Sequence, residues 1–160
     1  MAKSTSLTIL HAFNVWAAIH LFAENVGWIY MVDGPSMVPT MGVSGEMVIE
    51  NRMITPKHLS RGDLVTFTSP IDPGRVVCKR VIGLPGDVIC VDPTGEYAPS
   101  TEHVVIPKNH LWLSGDNAPM SRDSRLYGPV PMPLVKGKLF ARVYPFRDAT
   151  IFRSNFHYID

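Results

Sequence analysis

The sequence predicts a mostly β chain with one membrane-associated helix at its N-terminus, and three observations carry that reading. Gly occurs 12 times and Pro 14 times, spread along the chain, which breaks it into short segments punctuated by turns. Several of those segments, above all Arg75-Val76-Val77-Cys78-Lys79-Arg80-Val81-Ile82, are rich in β-branched residues and read as strands. From Ser4 to Ala23 there is no formal charge, and Leu7, Ile9, Leu10, Phe13, Val15, Trp16, Ile19, Leu21 and Phe22 make the segment largely apolar.

Roughly twenty residues of helix cross a hydrocarbon core of about 30 Å, so residues 1–32 are read as a membrane anchor. His11, Asn14 and Asn25 fall near one helical face and His20 and Glu24 near the opposite one. Polar groups inside a bilayer need a partner or the interface to satisfy them. An interfacial or partner-packed amphipathic helix and an ordinary core helix are therefore the alternatives. The segment has one preceding lysine and no small-residue cleavage pattern, unlike a cleaved secretory signal, and it lacks the Arg- and Ser-rich look of a transit peptide. Lys3 precedes it while Arg52, Lys57 and Arg61 follow, so loop charge does not fix its orientation.

Residues 33–160 are read as one domain, which fits a 160-residue chain. A net charge of +1 without a basic block excludes an electrostatic footprint for nucleic acid. Cys78 and Cys90 are too few for a disulfide framework and lie in no metal-binding spacing. They read as free thiols, with a pairing across a hairpin left open.

Asp33-Gly34-Pro35-Ser36-Met37-Val38-Pro39-Thr40 places a serine on a stiff bend between two prolines. Such a hydroxyl can serve as a nucleophile, or it can simply cap a turn. Strands are expected at 46–50, 64–68, 75–82, 104–106, 110–113 and 138–144, with 88–91 returning as a hairpin partner after the Gly83-Leu84-Pro85-Gly86-Asp87 turn. With period two, Val77, Lys79 and Val81 share one face and Cys78, Arg80 and Ile82 the other. Between Ser114 and Arg125 lies a dense set of turn formers and paired charges, which can be a solvated Asx-turn loop and nothing more.

A bend serine and a lysine among valines suggest one reaction type. Lysine in water has a pKa of about 10.4, but desolvation disfavours the ammonium and can lower that value by several units. A neutral Lys79 amine can then take the proton from Ser36. The plainer alternative is a strand cation whose stem packs on the valines while its head reaches water. The 6 histidines show no HExxH or paired spacing, and no GxSxG elbow or phosphate loop is present. No metal and no cofactor is expected.

With these stretches in hand, the chain resembles the type I signal peptidases, which are serine–lysine peptidases, and among them the mitochondrial members. Gly34 to Thr40 resembles the nucleophile box, Arg61-Gly62-Asp63-Leu64-Val65 the next strand box, Cys78 to Asp87 the lysine box, and Gly115-Asp116-Asn117 through Arg125 and Gly128-Pro129 the last box. The resemblance implies an antiparallel β core of signal-peptidase type behind the anchor. It implies Ser36 as nucleophile, Lys79 as general base, Ser121 hydrogen-bonded to the lysine amine, Asp116, Asp123 and Arg125 as supporting charges, and Met37 in the substrate pocket. Asn117 and Arg125 resemble the first mitochondrial subunit more than the second. Gly34 departs from many bacterial members, which carry a serine there that helps hold the oxyanion. The implied setting is the mitochondrial inner membrane with the peptidase domain facing the intermembrane space. The implied partners are a homologous second subunit, in a heterodimer, and precursor proteins whose N-terminal sorting peptides are removed. A catalytically silent anchoring subunit of a peptidase complex is the alternative.

Overall fold

The computed structural model describes residues 2–55, 58–96 and 98–154. Lys57 and the end of the predicted 33–160 domain lie outside them. Helix α1 runs from Ala2 to Asn25. Its Leu7–Asn25 stretch has mean hydropathy 1.2 and none of it is buried, so by length and composition it is able to cross a membrane. β1 (Gly27–Asp33) follows at once and pairs antiparallel with β2 (Ser44–Asn51). Residues 27–32 were expected in the anchor segment and instead form a sheet edge.

The other strands are β3 (Leu64–Thr68), β4 (Val76–Gly83), β5 (Val88–Cys90), β6 (His103–Val105), β7 (His110–Ser114), β8 (Val130–Pro131), β9 (Val135–Tyr144) and β10 (Thr150–Ile151). The main sheet has the order β1-β2-β9-β3-β4-β7-β8, with β10 beside β9, and every described pairing in it is antiparallel. The predicted mostly β fold with one N-terminal helix is thus the observed one. β5 does not return along β4: it pairs with β6 in a separate two-stranded ribbon. Both edges of β4 are already taken by β3 and β7. At Gly83, where a Cβ would come within 2.9 Å of the Ile89 side chain, the ribbon folds over the sheet instead.

β3 sits mid-sheet and is buried on both faces, so it lacks the in-and-out alternation of a half-exposed strand. Val65 and Phe67 pack with Val81, Leu111, Leu113 and Val130. Leu64 packs on the other side with Met37, Met41, Val48 and Leu139. At about 1.5–3 kcal/mol for each fully buried apolar side chain, the second cluster gives the bend after β1 a firm seat. Cys78 and Cys90 are both free thiols.

Candidate active site

Ser36 lies in a 3-10 turn over Pro35–Met37, with proline in the first turn, where its missing N–H is not needed. Gly34 enters that turn with φ 115°, a conformation that glycine adopts freely and a serine does not. The Gly34 N–H donates to the Val43 carbonyl at 2.7 Å, and the Met41 N–H to the Met37 carbonyl at 2.9 Å. Met37, 4% exposed, points into the core below the bend and also borders the cleft in front of it.

Lys79 reaches this bend from β4. The strand alternates as expected, with Lys79 and Val81 buried. Lys79 is only 4% exposed, and its amine lies 2.6 Å from the Ser36 hydroxyl. Burial lowers the lysine pKa below its usual value, outweighing the opposing influence of Cys78, Asp123 and Asp116. The neutral amine is therefore more available than in water. The Cys78 thiol beside it is pushed up to about 12 by burial, so it stays protonated and unreactive at neutral pH.

Arg80 turns to the opposite face. Its Nε and Nη2 donate to the two Asp116 oxygens at 2.8 and 2.7 Å, and its Nη1 to the Gly62 carbonyl at 2.8 Å. The Thr40 hydroxyl donates to the same carboxylate at 2.5 Å. Asp116 thereby ties the end of the serine bend to the strand that carries Lys79. Asn117, next in sequence, binds the bend itself: its Nδ2 donates to the Pro35 carbonyl and its backbone N–H to the Ser36 carbonyl, each at 3.0 Å.

Asp123 is fully buried at the start of α2 (Ser124–Tyr127). Its carboxylate accepts from Arg125 Nε and Nη2 at 2.9 and 2.8 Å, from the Gly115 N–H at 2.9 Å and from the Ser121 hydroxyl at 2.7 Å. Burial alone raises a carboxyl pKa, but these donors, Arg125 foremost, hold it below the usual carboxylate value. The Ser121 hydroxyl was expected on the Lys79 amine. It donates to Asp123 instead, and no hydrogen bond joins it to Lys79 among the described residues. A Cβ on Gly115 would lie 2.6 Å from both the Ser121 Cβ and the Ser36 carbonyl oxygen, so the loop and the bend approach as closely as a glycine permits.

Ser36 and Lys79 open on a cleft of about 620 Å³ that runs past Met37, Met41, Val32 and Cys78 to a polar end. There Glu50, 2% exposed, accepts from Arg52 Nε at 2.8 Å and from the Thr66 hydroxyl, and Arg52 Nη2 donates to the Tyr30 hydroxyl at 2.5 Å. Sequence reasoning missed this group, although the strand alternation put Glu50 on the face of Val48. It also missed Arg80 and Thr40 as partners of Asp116. Among the described residues no cluster of three or more His, Cys, Asp or Glu could hold a metal ion.

The family model described as "Signal peptidase, peptidase S26" matches residues 3–97 and 92–144. The mitochondrial inner membrane protease subunit 1 of Schizosaccharomyces pombe is 45% identical over 81% of this chain and 81% of that one. The Homo sapiens protein of the same name is 40% identical over 85% of this chain and 81% of its own. Subunit 2 of the Saccharomyces cerevisiae protease is 37% identical over 76% and 71%. A solved signal peptidase I from Enterococcus faecalis superimposes loosely, with TM-score 0.40 and 26% identity, on 51% of this chain and 96% of that one. Both the segment bearing the Ser36 bend and the one bearing the loop behind it fall within the matched residues. The chain belongs to the S26 signal peptidase family and is a serine peptidase.

Proposed function

We propose that this chain is a membrane-bound endopeptidase of the mitochondrial inner membrane. It uses Ser36 as nucleophile and Lys79 as general base to remove N-terminal sorting peptides from proteins bound for the intermembrane space, on which side its peptidase domain lies. The observation that carries the proposal is the buried Lys79 amine 2.6 Å from the Ser36 hydroxyl at the wall of an open cleft. The names of the relatives support the location, and their division into subunits 1 and 2 supports a complex with a homologous second subunit.

In this reading the neutral amine takes the hydroxyl proton as Ser36 Oγ attacks the scissile carbonyl. The carbonyl electron pair moves onto oxygen and gives a tetrahedral intermediate. As the intermediate collapses, the Lys79 ammonium returns that proton to the leaving amine. An acyl-enzyme ester on Ser36 remains. Water then gives a proton to the same amine, attacks the ester and releases the carboxylate product, and Ser36 recovers its proton. Asp123 and Arg125 hold the loop that walls the pair, and Asp116 holds the bend to the lysine strand.

The test is processing of a membrane-tethered precursor by wild type, Ser36→Ala and Lys79→Met, each co-expressed with the second subunit at matched levels. Precursor accumulates in both variants while the partner subunit stays intact. Wild-type processing in both would make the chain a silent scaffold and move the active site to the partner.

A further inference from the structure

Two peptide planes meet at Ser36, and Asn117 holds both. Its side-chain Nδ2 donates to the Pro35 carbonyl and its backbone N–H to the Ser36 carbonyl, each at 3.0 Å. The Val38 N–H approaches the same Pro35 carbonyl from inside the turn, at 3.3 Å. A trans peptide is planar, so its C=O and N–H point in opposite directions. Binding the Pro35 carbonyl on the Asn117 side therefore turns the Ser36 N–H away from that loop. No hydrogen bond among the described residues takes up this N–H.

That amide matters because the bend offers so little else. Gly34 has no side chain to donate, and its φ of 115° disfavours any residue that does. The Asn117 loop, in turn, is fixed from behind by the fork of Arg80 on Asp116. Arg80 neighbours Lys79 on β4, so one strand positions both the amine and the loop that sets the peptide plane.

We propose that Asn117 is a positioning residue for the oxyanion: its side-chain amide orients the Pro35–Ser36 peptide so that the Ser36 N–H faces the negative charge developing on the scissile carbonyl oxygen. The inference rests on Ser36 being the nucleophile. Removing an oxyanion donor outright slows turnover about 100- to 1,000-fold, and tilting one has a smaller effect of about 10- to 100-fold.

The experiment uses the full chain with its second subunit, comparing wild type, Asn117→Ala, Asn117→Asp and Ser36→Ala. Asn117→Asp keeps the side-chain shape but replaces the donor with an acceptor, and both Asn117 variants retain the backbone N–H. Two probes are bound to each: a substrate-sequence peptide aldehyde, and the matching peptide carboxamide. With the aldehyde, Ser36 Oγ forms a bond to carbon, the carbonyl π pair moves to oxygen at the oxyanion position, and the hydroxyl proton passes to Lys79. The carboxamide carries no such charge. In the Asn117 variants kcat falls about 10- to 100-fold with KM nearly unchanged, and aldehyde affinity falls by a similar factor while carboxamide affinity holds. The ratio of the two affinities does not depend on the fraction of protein folded. Equal weakening of both probes, or wild-type kcat in both variants, overturns the proposal. An active Ser36→Ala overturns the nucleophile assignment instead. An inactive Ser36→Ala beside a fully active Asn117→Ala leaves that assignment standing and removes only the role of Asn117.

Discussion

Lys79 is held where burial disfavours its ammonium, and the sign of that arrangement can be followed in two measurements. Its pKa in the folded chain is lowered by burial, so the unfolded chain binds the proton more tightly. Below the folded value the whole penalty of burying a charge is present, and it fades as pH rises toward the unfolded value of about 10.4. Lys79→Met therefore raises the melting temperature at neutral pH while abolishing peptide cleavage, a trade of stability for activity. In the wild type, the acid limb of kcat/KM has its midpoint below the usual lysine value, because only the neutral amine accepts the proton. A midpoint at or above that value would argue against a buried base. Asp123 shows the opposite sign. Its folded pKa is depressed by Arg125, the Gly115 N–H and Ser121, so its contribution is full above the unfolded value of about 3.9 and is lost as pH falls through the folded one. Asp123→Asn breaks a buried ion pair whose arginine side chain is only 8% exposed, and should cost about 3–5 kcal/mol in denaturant unfolding. Ser36 and Lys79 stood out as candidates because each sits in a local pattern, a proline-flanked bend and a period-two strand, but those patterns left a turn cap and a packed strand cation open, and only the resemblance to the signal peptidases implied their roles. The destination of the Ser121 hydroxyl could not be picked out, because sequence does not say which side chain lies beside that loop once it is folded, and the hydroxyl donates to the Asp123 carboxylate two residues on.

The site is made where the bend after β1 meets the loop after β7, and Gly115 is the point of closest approach. A side chain there has nowhere to go: its Cβ would sit 2.6 Å from the Ser36 carbonyl on one side and from the Ser121 Cβ on the other. Gly115→Ala should destabilise the chain by about 1–3 kcal/mol, as overpacking does. It should also lower kcat by far more than that loss of folded protein explains, because the displaced atoms belong to the peptide of Ser36, the proposed nucleophile. Thermal melts and peptide cleavage on the same samples separate the two effects, and a kcat loss no larger than the folded fraction predicts would show that the bend tolerates the push. At this scale the sequence was legible wherever an element carries its own period or forms a short apolar or β-branched run between turns. β2, β3, β4, β7 and β9 all stand close to where alternation and β-branched runs place them. β1 was hidden because the run from Trp28 to Val32 is apolar at every position, like much of α1 before it, and without alternation composition cannot say where a helix yields to an edge strand. The partner of β5 was hidden for another reason. Hairpin logic assumes a free neighbouring edge, and whether β4 has one is decided by β3 and β7, far away in the chain.

In the whole molecule, the apolar helix α1 and the peptidase body are joined by very little. None of the Leu7–Asn25 window is buried, whereas the sheet encloses apolar clusters on both of its faces. Among the described residues the polar ties that cross the junction are the Val26 N–H on the Phe22 carbonyl at 2.8 Å, the Arg52 N–H on the Val26 carbonyl at 2.9 Å, and Arg52 Nη1 on the Glu24 carbonyl at 3.5 Å and on the Glu24 carboxylate at 3.3 Å, a side chain that is 60% exposed. An exposed pair of that kind contributes about 0–1 kcal/mol. Removing residues 2–25 therefore leaves the core and the Ser36–Lys79 contact intact, and a chain starting at Val26 should unfold cooperatively at nearly the full-length midpoint and cleave a soluble substrate-sequence peptide at nearly the full-length kcat. Processing of a membrane-tethered precursor should fall steeply. Sharing one membrane gives enzyme and precursor a high effective concentration, and that advantage disappears with the helix. Both activities are read on the same preparation, so a role of α1 in folding and a role at the membrane can be told apart. If the truncated chain loses peptide cleavage and its cooperative transition together, α1 is part of the folding unit and the near-independence of helix and body is wrong. If it keeps both and still processes the tethered precursor at the wild-type rate, the sheet itself, or the second subunit, brings the enzyme to the membrane.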